Sequence, residues 1–464
     1  MVFADLFFLF AFLPAFALCY LLASRAEGNR MKNGVLVAFS LIFYAWGEPV
    51  HVFLLIFCAL LNWLFGMGID RKKGRTFWLV AGLLTNLAIL GTFKYLGFFA
   101  DLLGRAGVVV QVPRVALPIG ISFYTFQSVS YLVDVYRRES PAQRRFRDLL
   151  LYISMFPQLI AGPIVRYSTV AREIGNRKVS FQDVADGGFR FFVGLGKKVI
   201  LANQLSEVSD QFLSGGLSAL STAGAWIGLL AFTLQIYFDF SGYSDMAIGI
   251  GRCLGFHFRE NFDHPYCCDS ITDFWRRWHI SLGSFFRDYL YIPLGGNRRH
   301  QILNILIVWF LTGMWHGASW NFIVWGLYFG IIVALEKYTL LRWQVPAFLR
   351  HAYSLLLVFL GWGIFYFTDF GEMTRFFRIC FGQSAAFTDF TVRSAILSRF
   401  WLWIAAILCC LPLGRWLHRR IGERYCLSHI VLSVSKLILS VILFGASVAL
   451  LVGSTNNPFI YTRF

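Results

Sequence analysis

The sequence predicts an all-α fold, a polytopic integral membrane protein, and three observations predict it. Hydrophobic residues make up 57% of the chain and charged residues only 14%, with a mean hydropathy of +0.61, far outside the range of soluble globular domains. Apolar runs of spanning or near-spanning length recur along the whole chain, roughly 10 to 12 of them, so one transmembrane domain over 1–464 is expected and no soluble one. The basic excess, a formal net charge of +17, collects in short loops between those runs. In a soluble chain such an excess would suggest nucleic acid. Here it reads as a topology signal and as contact with anionic lipid head groups of the bilayer, and no nucleic-acid partner is expected.

The first run, Phe3 to Ala23, lacks a basic leader and a small-residue cleavage signal, so it is expected as a retained helix. Further runs follow at 34–47, 50–69, 77–100 and 117–136. The first, third and fifth loops are rich in Lys and Arg (Arg25, Arg30 and Lys32; Arg71 to Arg75; Arg137 to Arg147), whereas those between hold none or only Arg105 and Arg114. This alternation predicts a multi-pass membrane protein with its N-terminus facing out and the three basic loops facing the cytoplasm. From Phe146 to Phe192 the pattern breaks at Pro157, Gly162 and Pro163 and becomes basic and amphipathic, which predicts re-entrant or interfacial helices. Thr222 to Phe240 spans again, placing Asp239 and Asp245 close to the membrane. Gly249 and Gly251 imitate part of a dinucleotide fingerprint, but no strand precedes them and the third glycine is misplaced. Apolar runs near 353–370, 399–413 and 431–453 complete the chain, with a basic loop from Arg415 to Arg424 before the last of them. The nine cysteines form no C-x-x-C pair and predict neither a disulfide framework nor a metal site.

The most informative stretch is Ile302 to Gly330, ILNILIVWFLTGMWHGASWNFIVWGLYFG, which is apolar enough for a membrane yet holds the ionisable His316 near its middle. Such a group is costly at bilayer depth unless it faces protein or a water-filled cavity, so it marks a functional site, the bland alternative being a hydrogen bond to a neighbouring helix. Just upstream, DFWRRWHISLGSFFRDYLYIPLGGNRR brings a second histidine, His279. There Arg276, Arg277 and Arg287 alternate with Trp275, Trp278, Phe285 and Phe286. That pattern suits a pocket mouth for an anionic donor, or equally basic side chains snorkelling to lipid head groups. Asp273 and Arg277 are also spaced to pair at i,i+4. His264 and Asp269 form an H-x-x-x-x-D pattern of the kind that recurs by chance.

SITDFWRRWHISLGSFFRDYLYIPLGGNRR, MWHGASWNFIVWGLYFG, MVFADLFFLFAFLP and NPFIYTRF together resemble the membrane-bound O-acyltransferases, closest to the membrane component of bacterial alginate and related exopolysaccharide O-acetylation. The resemblance implies bent and broken helices around a central tunnel, with His316 as the catalytic base and His279 at the second active-site position. Burial keeps such an imidazole neutral and able to take a proton from an attacking hydroxyl. His279, the Trp315 indole N–H and Asn321 are the candidate oxyanion donors. No tightly bound cofactor is implied. The donor would be acetyl-coenzyme A or an acyl-carrier thioester, already activated, and no G-x-S-x-G elbow is present. Implied partners are a periplasmic SGNH-type O-acetyltransferase and a polysaccharide acceptor. Phe459, Tyr461 and Phe464 resemble a terminal F-x-Y-x-x-F motif in which the tyrosine carries the acyl group, the alternative being an aromatic anchor at the outer interface. Peptidoglycan O-acetylation and teichoic-acid D-alanylation are alternatives within the enzyme class. Outside it stand a transporter or proton channel using His279, His316, Asp239 and Asp245, and a structural scaffold.

Overall fold

A computed structural model describes residues 1–108, 112–113, 115–339, 345–414, 416 and 429–453, and among these all regular structure is helical. They group into two compact units, Met1–Phe191 with Tyr243–Arg259 and Phe192–Gly242 with Glu260–Phe464.

In the first unit the five leading apolar runs fold as α1 (Phe8–Ala23), α2 (Arg30–Ala45), α3 (His51–Ile69), α4 (Arg75–Arg105) and α5 (Ile121–Arg137). Polar residues within these apolar helices are tied to one another. Asn62 of α3 and Asn86 of α4 exchange side-chain amide hydrogen bonds of 3.1 and 2.8 Å, a pairing that holds two helices together where no water competes. The irregular tract folds as α6 (Phe146–Ser154), α7 (Phe156–Leu159), α8 (Tyr167–Gly175) and α9 (Phe181–Gly196), and residues 148–165 are buried throughout. Broken backbone is tolerated there because protein satisfies it: Phe156 N–H donates to Ser40 Oγ at 3.1 Å, and the Gln158 amide donates to Tyr152 O. Gly120 turns the chain into α5 with φ +77°, and a Cβ there would lie 2.7 Å from Leu159 O. Beyond this tract, Arg177 is buried and divides its guanidinium among Asn33, Leu254 and Tyr20. Gly249 packs against the Gly187 carbonyl, so the glycines that imitate a nucleotide motif serve helix packing.

The second unit contains α10 (Asn203–Leu213), much of α11 (Thr222–Cys253), two short helices α12 (Ile271–Arg277) and α13 (Ile280–Phe286), and a hairpin of α14 (Gln301–His316) and α15 (Trp320–Tyr338). After them come α16 (Ala347–Tyr366), α17 (Phe370–Cys380), α18 (Phe390–Ser398), α19 (Phe400–Cys410) and α20 (His429–Gly453). Asp239 pairs with Lys198 at 2.7 Å, both buried, while in the first unit Asp245 pairs with Arg190 at 2.8 Å.

Six described helices are long and apolar enough to cross a membrane, or seven if α18 and α19, bent by 66°, form one span. The runs expected at 34–47 and 117–136 fold as helices of 16 and 17 residues, short of the ~20 that a bilayer requires, so the length criterion admits fewer helices than the apolar runs suggest.

The hairpin is the tightest packing near the site. A Cβ on Gly313 would sit 2.2 Å from Phe322 O, and one on Gly326 would sit 2.3 Å from Trp309 O, so each backbone lies where the other's side chain would be. Gly326→Val should therefore destabilise the protein by about 1–3 kcal/mol or more, read as a lowered melting temperature in detergent. Gly34→Ala, whose Cβ meets nothing within 4 Å, should leave that temperature unchanged or slightly raised.

Candidate functional site: a histidine pair at the end of an apolar cavity

The site is built on two chain breaks. Helix α12 starts where Ser270 caps the Asp273 N–H and where Glu336 of α15 accepts from Ile271 N, Thr272 N and Thr272 Oγ1 at 2.6, 2.7 and 2.6 Å. A buried carboxylate at a helix N-terminus is stabilised by those donors and fixes the short helix to α15. The helix ends at Arg277, and His279 then adopts the left-handed conformation (φ 44°, ψ 52°) before α13 begins. That conformation costs a non-glycine residue about 1–2 kcal/mol, so the surroundings must hold it.

Asn261 does so. Its backbone carbonyl accepts from Ile280 N at 2.9 Å. Its side-chain Oδ1 accepts from Ser281 N at 3.2 Å and from Ser281 Oγ at 2.8 Å, and lies 3.1 Å from His279 Nδ1. Because the Ser281 N–H can only donate, the amide atom it meets is the oxygen, and the His279 Nδ1 must carry the proton that bonds to that oxygen. Nε2 is left as the unprotonated nitrogen, buried and without a hydrogen-bond partner. Burial first, and the neighbouring His316 second, hold the His279 imidazole well below its ordinary pKa, so it is neutral.

His316 closes α14 and is buried, with its ring 5.0 Å from Trp325 and 5.4 Å from Phe365 in edge-on contacts. The Trp315 ring stands 4.9 Å from His316 and 5.8 Å from His279, and so lies beside both. A cavity of about 190 Å³ runs between α13 with its continuing π turn (Arg287–Tyr291) and α14. His279, Leu282, Gly283, Phe286 and Arg287 form one wall and Ile305, Val308, Trp309 and Thr312 the other, each set spaced by three or four residues as one helix face requires. His279 lines this cavity, while His316 lies one turn beyond Thr312 on α14.

The structure thus brings together His279, His316 and Trp315 of the residues expected from sequence. Asn321 is fully buried, and its amide N–H is engaged with Phe365 O at 3.2 Å. Arg287 lines the cavity and pairs with Asp288 at 2.6 Å, Arg277 pairs with Asp273 at 2.9 Å, and Arg276 is exposed and outside the cavity lining. Tyr461 and the rest of the F-x-Y-x-x-F motif lie outside the described residues. His264 bonds to Cys410 O and Asp269 pairs with Arg350, so the H-x-x-x-x-D pattern forms no site. Among the described residues no cluster of His, Cys, Asp or Glu is placed to hold a metal ion. Asn261 and Glu336 were not anticipated, since nothing local in the sequence marks either one.

Helices of spanning length, with two buried histidines of which one lines an apolar cavity, define a multi-pass membrane protein with a candidate site among its helices. The model of the membrane-bound O-acyltransferase family matches residues 139–410. A probable alginate O-acetylase of Pseudomonas syringae pv. tomato is 43% identical over 79% of this chain and 72% of its own, and one of Pseudomonas aeruginosa is 41% identical over the same shares. The peptidoglycan O-acetyltransferase of Helicobacter pylori is 36% identical over 71% of this chain and 69% of its own. The chain belongs to the membrane-bound O-acyltransferase family and is an O-acyltransferase.

The Asn261 contact predicts a pH signature. Because the His279 pKa is lowered, its neutral form should persist as pH falls through about 6.5, and the rate should not decline through His279 until well below that value. Asn261→Asp would place a carboxylate against Nδ1, favour the imidazolium and move that acidic limb upward by about 1 unit or more, measured as initial rates of acyl transfer against pH.

Proposed function

We propose that this protein carries an acetyl group from a cytoplasmic thioester to the far side of a bacterial inner membrane, for O-acetylation of an alginate-like polysaccharide in the periplasm. The observation that carries the reading is the pair of buried histidines meeting at Trp315 beside an apolar cavity with a cation, Arg287, in its wall. Similarity to proteins named as alginate O-acetylases supports the acceptor class. In this reading residues 1–464 act as one transmembrane domain with a periplasmic N-terminus, consistent with the alternation of basic loops.

His316 acts as the base. It takes the proton of the attacking hydroxyl as that oxygen bonds to the thioester carbonyl carbon; the C–S bond then breaks, and the leaving thiolate receives the proton. With its Nδ1–H given to Asn261, neutral His279 offers only an acceptor at Nε2 and so supplies no donor to an oxyanion. The developing oxyanion falls to the Trp315 indole N–H, with the second N–H of the Asn321 amide, whose first is given to Phe365 O, as the other candidate donor. Arg287, with Arg276 and Arg277 nearby in sequence, attracts the phosphates of acetyl-coenzyme A or an acidic carrier. Tyr461 receives the acetyl group as a phenyl ester and passes it outward, where a periplasmic SGNH-type transferase completes delivery. A proton relay through Asp239 and Asp245 has less support, since both carboxylates are held in ion pairs. The Helicobacter pylori relative keeps peptidoglycan as a second acceptor reading.

Purified protein given radiolabelled acetyl-coenzyme A tests this reading. His316→Ala, folded and inserted, should lose about 10²–10⁴-fold in acetyl transfer. Tyr461→Phe should abolish covalent label while leaving folding intact. Normal transfer by the His316 variant would overturn the base assignment, and retained label in the tyrosine variant would exclude the relay.

A further inference from the structure

We infer that Gly283 is a specificity-determining residue whose missing side chain reserves room for the acyl group of the donor beside His279. The inference rests on the reading above that the cavity receives the thioester. Gly283 sits one helical turn after His279, its N–H donating to His279 O at 3.1 Å, so a side chain there would project from the same face of α13 as the histidine. It lines the cavity.

Neither conformation nor packing requires a glycine here. Gly283 is not among the residues with positive φ, and a Cβ would meet nothing closer than Trp275 O at 3.9 Å, an ordinary contact. The contrast with Gly313 and Gly326 is direct, since opposing backbone carbonyls at 2.2 and 2.3 Å forbid a side chain at each. A glycine within a helix also weakens it relative to alanine, through the greater freedom of the unfolded chain. A local cost with no structural return, at a position facing a cavity, is the pattern expected where function requires the space. The walls around that space, Leu282, Phe286 and Trp309, are apolar and suit a carbon chain, whereas the thioester carbonyl needs a donor, which the Trp315 indole beside His279 offers. The acyl carbon chain therefore lies over Gly283 when the carbonyl reaches the Trp315 end of the cavity.

The test uses the full-length protein in lipid nanodiscs, with acetyl- and propionyl-coenzyme A as donors, free thiol release as the rate, and thermal unfolding measured alongside. Gly283→Ala should melt at or above the wild-type temperature while its kcat/KM preference for acetyl over propionyl rises about tenfold, the scale on which a pocket senses one methylene. Gly283→Leu should fill the space and lower acetyl transfer at least ~100-fold with the fold intact. Wild-type rates and preference in both variants would overturn the inference, as would equal losses for both donors accompanied by a lowered melting temperature. Failure of the wild-type protein itself to consume any thioester would instead refute the donor reading, and the role of Gly283 would fall with it.

Discussion

The hydrogen bond from His279 Nδ1 to Asn261 Oδ1 is the interaction on which the site depends. It holds a histidine in a backbone conformation that L-residues avoid, it decides which ring nitrogen carries the proton, and it leaves the other nitrogen as a buried acceptor. One amide oxygen achieves this because Ser281 supplies it with two further donors, which leave no freedom for the amide to flip. In water an imidazole exchanges tautomers readily. Here the energy of leaving Ser281 N–H or His279 Nδ1–H unpaired in the interior opposes the exchange, and a buried donor without a partner costs about 1–3 kcal/mol.

The surrounding helices serve to make that arrangement rigid where local structure is weak. Helices of seven residues such as α12 and α13 are too short to be stable alone, so their termini must be satisfied from outside. Glu336 supplies α12 from α15, and α15 is in turn locked to α14 by glycines that bring the two backbones into contact. His316 ends α14, so the same hairpin that anchors the helix before His279 also positions the second histidine. The aromatic rings of Trp275, Trp309, Trp325 and Phe329 fill the space between these elements at centroid distances of 4.7 to 6.3 Å. Rings packed edge to face have few alternative rotamers, which suits a site that must not relax when its polar groups are unpaired.

Composition and loop charge were sufficient to read the all-helical class, because burial in lipid demands apolar runs that are visible one residue at a time. His316 was legible for the same reason, as an ionisable residue in a stretch that should exclude one, whereas His279 stood in a basic, aromatic segment and was picked out by its motif; the i,i+4 pair of Asp273 and Arg277 formed as its spacing implied. Asn261 and Glu336 were not legible. Asn261 lies 18 residues from His279, and Glu336 lies 65 from Ile271, so their roles arise only once the chain has folded back. Helix number was legible only in part. An apolar run in sequence does not reveal where a helix will stop, and α2 and α5 stop short of a bilayer's thickness.

The position of the cavity also limits how the two histidines can divide their work. His279 lines it, and His316 stands one turn beyond Thr312, packed against Trp315, Trp325 and Phe365. Two imidazoles so close cannot both be protonated at modest cost, since each would raise the energy of the other's charged form. Asn261 fixes the His279 tautomer, so the position of the proton on that ring is set before any substrate arrives.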